Sequence, residues 1–295
     1  MSSIRIAVFS ILALAGAVAL AAGPSPARFP VPARPPADAW NRLEPGLELG
    51  TFVVGESHGD STATVHVLRI DPAKFSLTLL NASAPAEGTT HSMKDWCNRH
   101  GLVACVNASM YRDDEKTSVG LMKTRRHVNN PKVNGDNALL VFDGPGGPRI
   151  LDRACDGGDE AAAKYGTVVQ DIRMLDCEGG NVWAPQPRRW STAAIGQDSD
   201  GRILFIHARD PLPVHDLVDG LRGLPLHLTR LLYVEGGPEA QLYVAAGGEE
   251  HEFLGSFETG FWENDDNHDG WPVPNVIGVA RVAGTNGRES GAGEP

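Results

Sequence analysis

Residues 231–244 read LLYVEGGPEAQLYV, two short apolar runs separated by an acid and two glycines. Residues 231–234 and 242–244 have the length and composition of buried strands. Glu235 ends the first run. The glycines behind it can adopt backbone angles closed to other residues and let a ligand approach the main chain closely. The stretch therefore predicts an acid held in a pocket at a strand end or, alternatively, no more than a tight turn.

Both ends of the chain differ in composition from its middle. Residues 1–22 begin with Arg5, continue as an apolar run and finish with alanines at A-x-A spacing, which predicts a signal peptide and an exported, periplasmic or secreted protein. The run is short for a membrane span. Proline-dense sequence after it predicts a linker over 23–45, and the glycine-rich residues 284–295 predict a flexible tail. One domain is expected over 46–283.

The charge and the cysteines narrow the class of protein. The chain has 26 Lys and Arg against 37 Asp and Glu, a formal net charge of −11, which disfavours nucleic acid and anionic membranes as partners. Four cysteines in an exported chain fit two disulfides. Cys97 ends a predicted helix and Cys105 lies in the next predicted strand, whereas Cys155 and Cys177 close an excursion of the chain. We therefore predict the bonds Cys97–Cys105 and Cys155–Cys177.

Strand signals dominate the predicted domain. Residues 61–71 alternate apolar and polar side chains, as a half-buried strand does. Helical spacing is found in two segments, 92–101 and 214–224. The pattern predicts a β-rich α+β fold with a single domain, in which a few helices flank a mixed sheet. The other predicted strands are 51–57, 75–83, 101–109, 137–143, 192–198, 202–208, 231–237 and 275–282.

Two local motifs suggest other functions. Ser57, in GESHG, matches the nucleophile turn of serine hydrolases, but that turn requires a helix behind the serine and a strand pattern follows here. A hairpin turn is the favoured interpretation, with a serine hydrolase as an alternative. Asp265, Asn267 and Asp269 match the first half of a calcium loop, but Val276 stands where a bidentate Glu is required. A solvated acidic loop is favoured, calcium is a minority alternative, and no other cofactor is expected.

Three further segments combine polar and basic side chains with apolar strands. Taken singly, they are typical of a capping residue, a solvated basic face and a surface loop. The segments are ACVNASMY at 104–111 with Asn107, TSVGLMKTRRHVNNP at 117–131 with Lys123, Arg125 and Arg126, and RRWSTAAIG at 188–196 with Arg188 and Arg189.

In this order, and followed by the turn behind Glu235, these segments resemble the phosphodiester glycosidase family from about Val65 to Val282. NASMY at 107–111 resembles an NGGFF-like strand end, Gly120 and Leu121 a GL segment, TAAIG at 192–196 an R-T-A-I-G-like strand, and EGGPE at 235–239 the turn DGGGS. The chain departs from the pattern at several positions. Glu235 replaces Asp, Thr192 replaces Arg, Pro238 and Glu239 replace Gly and Ser, and Ala108 and Ser109 replace two glycines.

The resemblance implies hydrolysis of a sugar phosphodiester in envelope or extracellular glycans, through an oxocarbenium-like state. Glu235 would act as base or nucleophile, and Asn107 would bind a sugar hydroxyl. Arginine suits the phosphate because its planar fork offers paired donors. The expected substrate-binding residues are Gly236, Gly237, Thr192, Arg188, Arg189, Lys123, Arg125 and Arg126. A non-catalytic envelope protein that binds a glycan in the same cleft is the alternative.

Overall fold

The computed structural model describes residues 39–55 and 61–282. The predicted signal peptide at 1–22, Ser57 of the serine-hydrolase alternative and the predicted tail at 284–295 lie outside these residues. No helix in the described part of the chain is both long and apolar enough to cross a membrane.

Strands make up most of the secondary structure, as the sequence predicts. In chain order they are β1 (Trp40–Glu44), β2 (Leu47–Gly55), β3 (Thr62–Ile70), β4 (Phe75–Asn81), β5 (Ala104–Asn107), β6 (Met122–Lys123), β7 (Val128–Asn130), β8 (Ala138–Phe142), β9 (Arg149–Asp152), β10 (Thr167–Arg173), β11 (Trp190–Asp198), β12 (Ile203–Leu212), β13 (Leu228–Gly236), β14 (Gln241–Ala246), β15 (Glu249–Leu254) and β16 (Asn275–Arg281). The helices of the described residues are α1 (Met93–Arg99), α2 (Gly158–Ala162) and α3 (Val214–Gly223).

These strands form two sheets. The larger has eleven strands in the order β1-β2-β3-β12-β11-β13-β10-β6-β7, with β8 paired to β10 and β9 paired to β8. The smaller has five strands in the order β15-β14-β5-β16-β4. Strand β13 lies in the larger sheet and β14 in the smaller one. The turn after Glu235 therefore carries the chain from one sheet to the other.

The main hydrophobic core lies between the two sheets. It joins side chains of the larger sheet, such as Phe205 and Leu232, to side chains of the smaller sheet, such as Val106, Leu242 and Ile277. Helix α3 buries its apolar side chains in a second cluster on the other face of the larger sheet. Each buried aliphatic side chain contributes about 1.5–3 kcal/mol by leaving water.

The prediction of a mixed sheet is wrong. Every pairing found among the described strands is antiparallel. Several neighbours in sequence, such as β11 and β12 or β14 and β15, pair through short turns, and such turns join only antiparallel strands.

The sheet also begins earlier than the predicted domain start. Strand β1 lies inside the segment 23–45, for which the sequence predicts a linker. Trp40 explains the difference, because its ring lies 5.3 Å from the ring of Phe52 and 3.9 Å from the guanidinium carbon of Arg69. These contacts order the chain directly after the proline-dense sequence.

The cysteines follow one of the two predicted pairings. Cys155 and Cys177 form a disulfide. Cys97 and Cys105 are buried neighbours, as the turn at Gly101 brings them together, but the predicted bond between them is absent. The Cys97 thiol instead donates to the carbonyl of Leu102 at 3.5 Å, a contact that an oxidised sulfur cannot make.

Candidate active site

Glu235 lies at the point where β13 leaves the larger sheet. It pairs with Ala193 of β11, and Gly236 pairs with Thr192. A Cβ on Gly236 would lie 2.2 Å from the Tyr233 hydroxyl oxygen, so no side chain fits there. Gly237 begins a short 3-10 turn with φ +64°, in the left-handed region that favours glycine. Close packing of the Tyr233 side chain therefore requires glycine at 236, and the backbone angle requires it at 237.

Asn107 fastens this turn to the smaller sheet. It lies at the end of β5 and is 1% exposed. Its Nδ2 donates to the carbonyl of Glu239 at 2.9 Å, and its Oδ1 accepts from the amide of Gln241 at 2.7 Å. Both ends of the Asn107 amide bind the main chain of the turn. Asn107 therefore lies at the site, and its side chain holds the backbone of the turn in place.

The surroundings of Glu235 favour the protonated acid. The residue is 8% exposed, and its Oε1 accepts one hydrogen bond, from the amide of Gly236 at 3.1 Å. Burial raises the pKa of Glu235 from its ordinary 4.5 to about 8, and the carboxylates of Glu239 and Glu258 act in the same direction. The Gly236 amide opposes this shift without cancelling it. At neutral pH most Glu235 side chains therefore carry a proton.

Glu239 and Glu258 flank the glycine turn. A Cβ on Gly237 would lie 2.6 Å from Glu258 Oε2 and 3.6 Å from Glu239 Oε2, so both carboxylates approach the same point of the backbone. Burial raises the pKa of Glu239, and Glu258 adds to the effect. Glu258 is held in place because its backbone bridges to Trp190 at the start of β11.

A fourth acid, Asp171, lies on β10, the strand that neighbours β13 in the larger sheet. It is fully buried, Ser109 donates to its Oδ1 at 2.7 Å, and its Oδ2 has no hydrogen-bond partner among the described residues. Burial raises the pKa of Asp171 well above its usual range, and Glu235 contributes to this. Burial also raises the pKa of Tyr111, with Glu239 and Glu235 adding to it, so this phenol stays protonated and can donate a hydrogen bond. We refer to Glu235, Glu239, Glu258 and Asp171 as the acid cluster.

One of the predicted arginines contacts the acid cluster directly. Arg188 Nη2 lies 3.6 Å from Glu258 Oε1, and the guanidinium carbon lies 5.5 Å from the Trp190 ring. Arg189 Nη1 donates to the Ser61 hydroxyl at 3.0 Å, while its backbone binds Thr259. Arg188 therefore places a cation beside a carboxylate at the edge of the site.

The other predicted substrate-binding residues lie in different surroundings. Thr192 is buried beside Gly236 and donates to the carbonyl of Trp190 at 3.4 Å. Lys123 pairs with Val168 of β10, Arg125 donates to the carbonyl of Asp143, and Arg126 is exposed in the turn between β6 and β7. None of these contacts of the basic segment reaches the acid cluster.

Sequence reasoning missed three members of the acid cluster as site residues. Glu239 stands out in the sequence only as a departure from the family turn. Asp171 carries the same signal as Glu235, a single acid within an apolar strand, in VVQDIR. Glu258 lies in a loop 23 residues beyond Glu235 in the numbering, and nothing in the local sequence FETGFW marks it.

A cavity of about 240 Å³ lies beside the acid cluster rather than within it. It is lined by His66, His207, Phe253 and Asn267, among others. His207 Nε2 lies 3.2 Å from the carbonyl of Ala240, which connects the cavity wall to the glycine turn.

Two residues of the calcium alternative, Asp265 and Asn267, already have side-chain partners in the protein. Arg209 Nε donates to Asp265 Oδ1 at 2.7 Å. Asn267 Nδ2 donates to the carbonyl of Gly255 at 2.7 Å, and Asn267 Oδ1 accepts from the Trp271 indole at 3.2 Å. Arg209 thus engages one oxygen of Asp265, and both ends of the Asn267 amide are engaged within the loop.

The comparisons with known proteins agree with this fold. The sequence pattern of the phosphodiester glycosidase family matches residues 100–280, and the chain belongs to this family. The fold is similar to that of the catalytic domain of zebrafish N-acetylglucosamine-1-phosphodiester alpha-N-acetylglucosaminidase, which is auto-inhibited by its pro-peptide. The TM-score is 0.61 at 12% identity, over 81% of this chain and 85% of that one.

A hypothetical protein from Synechocystis is also similar, with a TM-score of 0.54 at 14% identity over 79% of this chain and 62% of that chain. No curated protein matches the sequence. At these identities the two structural likenesses show the fold alone.

Proposed function

We propose that the protein is an exported phosphodiester glycosidase that hydrolyses the bond between the anomeric carbon of a sugar and a phosphate diester. The observation that carries the proposal is the buried Glu235 at the glycine turn that two further carboxylates approach. Family membership supports a carbohydrate substrate. The disulfide Cys155–Cys177 is typical of an exported protein.

In the proposed reaction Glu235 is the general acid. Its raised pKa keeps the proton available at neutral pH, which revises the expectation that it acts as base or nucleophile. Cleavage breaks the bond from the anomeric carbon to the phosphate oxygen, and the proton of Glu235 passes to that oxygen. Water adds to the anomeric carbon, and a carboxylate accepts a proton from it. The products are the free sugar and a phosphate monoester.

Glu258 is the proposed carboxylate that accepts the proton from water. The Arg188 guanidinium lies 3.6 Å from this carboxylate and forms an ion pair with it. Arg188 is also the proposed phosphate ligand, since a guanidinium at the edge of an acidic site provides the positive charge that the diester needs. Asn107 acts indirectly, because it holds the turn that carries Glu239.

An activity screen of the mature protein against sugar 1-phosphodiesters tests the proposal. We expect at least one diester to release the free sugar and the phosphate monoester in equal amounts. The Arg188→Ala variant should raise the KM for that diester, because the phosphate loses a cation. Glycan binding without turnover of any diester would overturn the enzymatic proposal and favour the non-catalytic binding protein.

A further inference from the structure

The loop between β15 and β16 presents aromatic side chains to solvent beside the acid cluster. Phe261 is 59% exposed, and Trp262 and Trp271 are partly exposed. The Trp262 and Trp271 ring centroids are 5.3 Å apart and those of Phe261 and Trp271 are 6.4 Å apart, both pairs edge to face. We call these three residues the aromatic cluster. A group of exposed aromatic rings on one loop marks an interaction surface.

Backbone hydrogen bonds connect the aromatic cluster to the acid cluster. The amide of Glu258 donates to the carbonyl of Trp262 at 2.8 Å, and the amide of Trp262 donates back to the carbonyl of Glu258 at 2.9 Å. The amide of Ser191 in β11 donates to the carbonyl of Phe257 at 2.9 Å. The loop that carries the proposed base therefore also carries the aromatic rings.

The negative charges around the aromatic cluster indicate which kind of ligand it binds. Glu263, Asp265, Asp266 and Asp269 are exposed on the same loop, and the Trp262 indole donates to Asp266 Oδ1 at 3.2 Å. This acidic rim disfavours an anionic group on the aromatic cluster itself, so the phosphate of the diester belongs at Arg188 and not here. A pyranose ring fits it, because the C–H face of the ring can pack on an aromatic side chain while its hydroxyls donate to carboxylates.

We propose that the aromatic cluster binds a neutral sugar unit next to the sugar phosphate that is cleaved. This inference rests on the proposed function and deepens it. The new element is the place of binding: a sugar beyond the cleaved bond packs on the aromatic cluster and contributes to the affinity for the substrate.

The test compares two diesters of one sugar 1-phosphate, a methyl diester and a disaccharide diester. Phe261→Ala should raise the KM for the disaccharide diester about three- to tenfold, as expected for the loss of one aromatic contact, and leave the methyl diester unaffected. Val53→Ala is the matched control, because Val53 is 64% exposed and lies on β2. Equal effects of Phe261→Ala on both diesters, or none on either, would overturn the inference.

Failure of the proposed function can be told apart from failure of this inference. If the wild type cleaves neither diester, calorimetric binding of the disaccharide is measured for the wild type and for Phe261→Ala. Weaker binding of the disaccharide by Phe261→Ala than by the wild type supports the sugar subsite. Absence of binding by the wild type overturns it. A change in oligomeric mass caused by Phe261→Ala would assign the aromatic cluster to contact between copies of the chain and would also overturn it.

Discussion

Glu235 holds a proton because burial removes water from its carboxyl group and the neighbouring groups do little to stabilise the ionised form. One backbone amide binds it, and the closest charges described around it are acids. A group in these surroundings suits proton donation to a leaving oxygen. At the scale of single residues, the chemistry of the site thus follows from burial and from the sign of the neighbouring charges.

The same shift makes stability depend on pH. A carboxyl with a raised folded pKa contributes stability that is fully present below its unfolded value of 4.5 and is lost as pH rises through about 8. Between pH 5 and 7.5, the free energy of unfolding of the wild type should therefore fall relative to Glu235→Gln by about 1.4 kcal/mol per pH unit. Denaturant unfolding of both proteins measures this difference, and parallel pH curves would contradict the assigned proton.

The glycine turn is the element that assembles the site. The turn is shaped by its two glycines, by the amide of Asn107 and by the passage of the chain from β13 to β14. It carries Glu235 and Glu239, and Asp171 and Glu258 reach it from two distant segments. The sequence showed the glycines and Asn107 clearly. It gave no sign of Glu258, because that residue reaches the turn through the path of a long loop and not through a local pattern.

Substitution of Gly237 by Ala tests this element. Ala at φ +64° should cost about 1–2 kcal/mol of unfolding free energy, and its Cβ would meet Glu258 Oε2 at 2.6 Å. Gly248→Ala is the matched control, because Gly248 has φ +83° with nothing within 4 Å of the added Cβ. We expect similar losses of stability in urea unfolding but a large loss of kcat/KM only for Gly237→Ala. Equal activities would show that the turn does not position the carboxylates.

At the scale of the whole molecule, strand positions could be predicted from the alternation of apolar residues, and the family from the order of short motifs in the sequence. The directions of the strands could not, since pairing depends on contacts between distant segments. The basic segment 117–131 shows the same limit. Lys123, Arg125 and Arg126 are close in sequence, yet β6 and its following turn direct them to contacts away from the acid cluster.

The cysteines provide a test of the whole fold. Protein denatured without reduction should expose two reactive thiols, Cys97 and Cys105, and the native protein should expose almost none because both are buried. A reduced and denatured sample, with four thiols, is the control. A count of zero in the unreduced, denatured sample would restore the second disulfide predicted from the sequence.

The most direct test of the account combines a melting curve and a turnover assay on Glu235→Gln. Gln keeps the shape of the side chain and removes the transferable proton, so we expect a folded protein whose turnover of a sugar 1-phosphodiester is at least ~10²-fold lower. Glu160→Gln, at an exposed acid on α2, is the control and should retain full activity. Full activity in a well-folded Glu235→Gln protein would contradict the assignment of Glu235 as the general acid.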